Sequence, residues 1–185
     1  MKRFAYYILY LLVAWGVFRY FVRLPEVIEE LWFKPLIWLV PIFWWNWSLR
    51  KPVLFFEEVW WKSIGSGAFL GLFYLILFGG IKNFNFDYLG VVTATAIVEE
   101  MVFSGFLTGY LTRFLNKNLV VLVIGVVVSL SRLPILFFVY RLNGSVALGV
   151  ILMAFSTGVI HSWLRLRTNN ILGSIVARVV LGLVK

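Results

Sequence analysis

Cysteine is absent from this 185-residue chain and histidine occurs once, at His161. Those two facts exclude disulfides, thiolate metal sites and a histidine-rich metal cage. Charge is scarce too: 14% of residues are charged, eight are acidic, and no acidic residue follows Glu100. The chain has no polar stretch long enough to make a separate soluble domain. What it has instead is 62% hydrophobic residues and a mean hydropathy of +0.95, against roughly 45–50% apolar residues in soluble domains. A soluble core cannot absorb that excess, so the composition points to an integral membrane protein.

The formal charge of +9 does not mark a nucleic-acid binder. The basic residues stand singly or in pairs at the ends of apolar runs, where they meet lipid headgroups. With about 20 residues per crossing, hydrophobic segments fall roughly at 4–24, 32–49, 62–80, 89–112, 119–140, 145–164 and 170–184, the last one short. The expected fold is all-α, a polytopic transmembrane bundle of about six to seven spanning helices in one domain, 1–185. Two helices (1–59) precede a core at about 60–185.

Met1-Lys2-Arg3 and the apolar run behind it resemble the start of a signal peptide. The run continues to about Leu24 with no small-residue cleavage site, which predicts a retained anchor helix. Polar breaks set the other boundaries: Pro25-Glu26, Arg50-Lys51-Pro52, Lys82 to Asn85, Arg113 with Lys117, Arg141 to Gly144, and Arg165 to Asn170. These breaks are short, so neighbouring helices should run antiparallel. The amino end and the even-numbered loops hold nine basic residues and the other side six, which predicts a cytoplasmic amino terminus, with the cell membrane as the expected location. Trp44, Trp45, Trp47, Trp60 and Trp61 are expected in the interfacial belt.

Glu26, Glu29, Glu30, Glu57, Glu58 and Asp87 are assigned to loops or helix ends, leaving Glu99 and Glu100 as the acidic residues inside a hydrophobic segment. A carboxyl at the bilayer centre costs about 2.5–3.5 kcal/mol on insertion scales, so an adjacent pair is a functional candidate by default. At about 100° per residue the two diverge, Glu99 projecting with Phe103 and Glu100 with Ser104, so they can serve different partners. In a poorly hydrated site they would resist ionising together, and one could hold a proton while the other acts as a base on water. Arg132 and Arg178, near the ends of apolar segments, need counter-charges that the glutamates can supply. A buried ion-pair cluster fixing helix register is the alternative reading of the same four residues.

The segment Ala96-Ile97-Val98-Glu99-Glu100-Met101-Val102-Phe103-Ser104-Gly105-Phe106-Leu107 resembles the signature helix of the CPBP (Abi) intramembrane proteases, which include CAAX prenyl endopeptidases and bacteriocin-processing relatives. The family pattern is Glu-Glu-x-x-x-Arg, followed on later helices by Phe-x-x-x-His and His-x-x-x-Asn. The resemblance covers about residues 60–185 and keeps the glutamate pair. The family arginine falls on Ser104, the two histidines on Arg132 and Arg178, the phenylalanine on Val128 and the asparagine on Gly182. His161 does not take a family histidine position by register, which leaves only a substitution in space.

The resemblance implies a membrane endopeptidase with Glu100 as base on water, Glu99 orienting it or sharing its proton, and Arg132 and Arg178 neutralising the site or steadying the oxyanion. Arginine can donate hydrogen bonds there, but its guanidinium stays charged and cannot shuttle a proton. Cleaved substrates would be peptides or lipidated protein tails entering from the bilayer, and no cofactor or metal is expected. The alternatives are a pseudo-protease serving as a membrane binding or immunity module, and a small transporter or channel subunit using the carboxylates as an ion site.

Smaller signals complete the sequence. Gly67 with Gly71 and Gly105 with Gly109 have small-xxx-small spacing and should allow close helix packing within the monomer. Glu57-Glu58 reads as a solvated face and His161 as a hydrogen-bonded packing residue. Thr168-Asn169-Asn170 reads as a turn leading into a helix cap.

Overall fold

The computed structural model describes residues 2–22, 24–56, 60–81, 86–140 and 144–184. Glu57, Glu58, Arg23, Lys82 to Asn85, Arg141 to Asn143 and Lys185 lie outside them, so the expectations placed on those positions are not addressed. The described residues form seven helical runs: α1 (Lys2–Phe21), α2 (26–47), α3 (Trp60–Phe78), α4 (86–111), α5 (Lys117–Tyr140), α6 (Gly144–Thr168) and α7 (Leu172–Leu183). Each coincides with a hydrophobic segment read from the sequence, to within about two turns.

The protein is an all-α integral membrane bundle. Five runs, α1 and α3 to α6, are long and apolar enough to cross a bilayer. The expected count of six to seven crossings needs one or both of the other two as well. Of these, α7 has only 12 residues, and α2 carries Glu29, Glu30 and Lys34 in its first half.

Contacts between loops sort the helix ends into two groups. At the amino-terminal end, the Arg3 guanidinium donates to Ser48 Oγ (3.2 Å), Arg113 to the Lys51 carbonyl (2.6 Å), and the Ile171 amide to the Phe55 carbonyl (3.2 Å). At the opposite end Tyr20 packs on Phe138, and the Tyr88 hydroxyl donates to the Gly182 carbonyl. Consecutive helices therefore run antiparallel, as the short loops require. The turn before α7 also forms as expected: Asn169 adopts a positive φ of 50°, which Asn tolerates better than most residues, and Asn170 Oδ1, one residue before the N-cap Ile171, accepts from the Leu172 amide at 2.9 Å.

Lipid tails are as apolar as leucine, so helix association inside a bilayer rests on close packing and polar contacts. Gly67 and Gly71 do this between α3 and α7: a Cβ on Gly67 would sit 2.2 Å from the Gly173 carbonyl oxygen, and one on Gly71 2.9 Å from Val180. Gly105 and Gly109 serve a different surface. They receive Phe55 and Val53 of the α2–α3 connection, so that pair seats a loop against α4. Gly67→Ala is expected to lower the melting temperature in detergent, by an overpacking cost of about 1–3 kcal/mol. Gly65→Ala, where a Cβ meets nothing within 4 Å, is expected to raise it slightly through helix propensity.

The tryptophan belt is partial. Trp44, Trp47, Trp60 and Trp61 are exposed, whereas Trp45 is buried against Phe106 and Tyr110, with ring centroids 4.8 and 4.7 Å away. Trp15 and Trp38 are buried as well, in an edge-to-face pair at 5.5 Å. The side of α2 that carries Trp38, Ile42 and Trp45 is core, which presses this helix against α4.

Candidate active site

Three stretches of wider, π-type helical turn interrupt the α-helices at Glu29–Phe33, Met101–Leu107 and Ile135–Tyr140. Such turns are frequent at functional sites. Here the first carries Glu29 and Glu30, the second begins directly after Glu99-Glu100, and the third follows Arg132 and Pro134. Glu29, Glu30, Lys34, Glu99, Glu100 and Arg132 thus lie at or beside places where the helices change pitch, whereas Arg19 and Arg178 sit on regular α-helix.

Glu99 is 1% exposed and is held by three cations from three helices. Lys34 of α2 donates to Oε1 at 2.8 Å, while Arg132 of α5 and Arg178 of α7 both reach Oε2. Lys34, 2% exposed, also donates to Glu30 Oε2 at 2.6 Å. Thr95 donates to that same oxygen at 2.9 Å, and Arg19 of α1 pairs with both Glu29 and Glu30. Glu29 and Glu30 lie near the start of α2, within the helix-end assignment, but they are buried members of this network.

Glu100 has other partners, as the divergence of adjacent helical residues predicts. The Ser104 hydroxyl donates to its Oε2, and His161 Nδ1 lies 2.7 Å from Oε1. An ionised carboxylate only accepts, so Glu100 accepts from His161 Nδ1–H, and the other ring nitrogen, Nε2, lies 3.2 Å from the Tyr74 hydroxyl. Ser174 fixes the backbone here by donating to the His161 carbonyl at 3.0 Å. No hydrogen bond among the described residues joins the two glutamate carboxyl groups, so a shared proton has no direct contact to travel through.

A cavity of about 490 Å³ lies against this cluster, lined among others by Glu30, Lys34, Glu99, Arg132 and Arg178. Its remaining wall carries Tyr88 and Gly182, from the end of the bundle opposite the amino terminus. A second void of about 10 Å³ lies deeper, bordered by Glu100, Ser104, His161, Glu99, Thr157 and Arg178. That is close to the least volume that holds one water molecule. Cavity and void share Glu99, Thr157 and Arg178 as lining. Among the described residues no group of three His, Asp or Glu side chains is arranged to hold a metal ion.

The structure thus brings together the four residues singled out from the sequence, Glu99, Glu100, Arg132 and Arg178, with both arginines on Glu99. It adds Lys34, Glu30 and His161. The Glu30–Lys34 spacing of four residues on one apolar helix was the available signal for the first two. The lone histidine on α6 was the signal for the third.

The type II CAAX prenyl endopeptidase Rce1-like family matches the chain over residues 81–184. The chain belongs to that family. It is a family of CAAX-protease-like intramembrane proteases, and the match spans Glu99, Glu100, Arg132, His161 and Arg178 of the cluster. No curated protein and no solved structure matches the chain. Within this Rce1-like protein, α1, α2 and α3 precede the matched stretch; α2 supplies Lys34 and Glu30 to the site from outside it, and α3 supplies Tyr74.

Proposed function

We propose that the protein is an intramembrane endopeptidase in which Glu100, oriented by His161, is the base on water. The observation that carries this reading is the 2.7 Å Glu100–His161 contact beside a void of water size. Each Glu100 oxygen receives one hydrogen bond from the protein, and a carboxylate offers about four acceptor positions, which leaves room for water.

In the reaction, Glu100 accepts a proton as the water oxygen bonds to the scissile carbonyl carbon. Arg178 and Arg132 donate to the oxyanion. The C–N bond then breaks, the proton passes from Glu100 to the leaving amine, and two peptides result. The substrate occupies the larger cavity and meets the water where Arg178 and Thr157 touch, through a hydrogen bond of 3.4 Å that is the weakest in the shared wall. Glu99 has a fixed role, holding three cations in place. Candidate substrates are apolar peptides or lipidated protein tails arriving from the bilayer. Loop charge supports a cytoplasmic amino terminus, with the cavity mouth on the far side.

The saturation of Glu99 by three cations favours a second reading, a non-catalytic member that keeps the helical shell for binding. Proteoliposomes of the purified chain, incubated with farnesylated and unmodified apolar peptides, separate the two by mass spectrometry of the products. Internal cleavage that disappears in Glu100→Ala is the expected result. No cleavage of any peptide would leave the binding reading in its place.

A further inference from the structure

A groove of about 710 Å³ runs between α1 and α5 on the outer surface of the bundle. Phe4, Ile8 and Leu12 wall it on one side, Leu119 and Leu130 on the other, and Phe155 of α6 adds to the lining. It shares no lining residue with the cavity beside Glu99. Its shape follows from how the two helices meet. Toward the end opposite the amino terminus they touch: a Cβ on Gly16 would sit 3.9 Å from Pro134 and Phe138, and Tyr20 packs on Phe138 with ring centroids 5.5 Å apart. Toward the amino-terminal end they part, and the wedge between them is the groove.

Depth identifies what fills it. From Leu119 to Leu130 the groove follows about 16 Å of α5 at the helical rise, and half the hydrocarbon thickness of a bilayer is about 15 Å. The groove is one leaflet deep and closed below. A spanning helix from a second copy would seat only half its length there, whereas the acyl chain of a lipid matches the depth.

Charge identifies the head. Lys2 stands three, seven and ten residues before Ala5, Leu9 and Leu12, a helical stripe whose three apolar members all line the groove. Lys117 opens α5 two residues before Leu119. Both lysines are exposed, and among the described residues neither has an ion pair and the amino-terminal end of the bundle carries no acidic residue. Basic residues at this level attract anionic lipid headgroups.

We propose that the groove between α1 and α5 holds one anionic phospholipid from the leaflet at the amino-terminal end, with an acyl chain in the groove and its phosphate on Lys2 and Lys117. The lipid fills the wedge and braces α1, whose Arg19 pairs with Glu29 and Glu30, against α5. The proposal does not depend on hydrolysis.

The test reconstitutes the full chain with equimolar phosphatidylglycerol and phosphatidylcholine, extracts it in a bulky sterol-based nonionic detergent, and reads bound lipid by native mass spectrometry. One phosphatidylglycerol should be retained in about tenfold preference to phosphatidylcholine, as two lysines near a headgroup imply, and should raise the melting temperature of the delipidated protein. The double variant Lys2→Gln, Lys117→Gln should retain the two lipids equally. Val126→Trp fills the groove from a position on α5 that is 48% exposed. It should abolish the selective retention and the gain in melting temperature, while the delipidated variant melts no lower than the wild type. Equal retention of both lipids by the wild type, or selective retention undiminished in either variant, would overturn the proposal. A lipid-free dimer that Val126→Trp dissociates would overturn it as well, by assigning the groove to a second copy of the chain.

Discussion

Glu99→Gln is expected to lower the unfolding free energy of the detergent-solubilised protein by about 3–5 kcal/mol, the cost of orphaning buried charges. The amide keeps the volume and removes the one anion on which Lys34, Arg132 and Arg178 converge. Lys34 retains Glu30 at 2.6 Å, and Arg132 can turn its partly exposed head toward the cavity. Arg178 keeps a weaker set of partners, the 3.4 Å bond to Thr157 and the longer-range attraction of Glu100. The loss should therefore be partly recovered when Arg178→Gln is added, giving a coupling energy within the 0.5–3 kcal/mol range of interacting neighbours. Equilibrium unfolding of the two single variants and the double variant measures it. Strict additivity would mean that the network does not hold the helices together.

Glu100→Gln is expected to behave in the opposite way, leaving stability unchanged or slightly higher while peptide cleavage falls by about 10²–10⁴-fold, the usual contribution of a general base. Glu100 lies against a histidine and a serine, with no Lys or Arg bonded to it among the described residues. Neutralising it leaves no buried cation without a partner. His161→Ala should reduce cleavage as well, and Tyr74→Phe less, because Tyr74 touches only the far side of the ring. The contrast is informative because the two glutamates are adjacent in sequence and equally buried. If both variants lost stability equally, Glu100 would be structural too.

The helices were legible in the sequence because bilayer thickness sets their length and polar breaks set their ends. Each of the seven apolar segments became a helical run, including the short last one. The separate partners of Glu99 and Glu100 were also legible, since they follow from helical rotation alone. Less visible was the role of α2. Glu29 and Glu30 look like loop residues beside Pro25, and only the three-dimensional arrangement shows them buried with Arg19 and Lys34. Lys34 and Glu99 are 65 positions apart, and His161 and Glu100 are 61 apart. No local pattern joins such pairs. Trp45 was assigned to the interface for a similar reason: beside Trp44 and Trp47 it reads as one of a belt, and only its side of α2, turned toward Phe106 and Tyr110, makes it core.

The most direct test of the glutamate-dependent chemistry is cleavage of a membrane peptide by the reconstituted protein in ¹⁸O-labelled water, followed by mass spectrometry of the new carboxyl end. Incorporation of one labelled oxygen by the wild type, lost in Glu100→Gln while that variant remains folded, is the predicted result. Unlabelled product, or labelled product formed equally fast by Glu100→Gln, would contradict the assignment of Glu100 as the base that activates water.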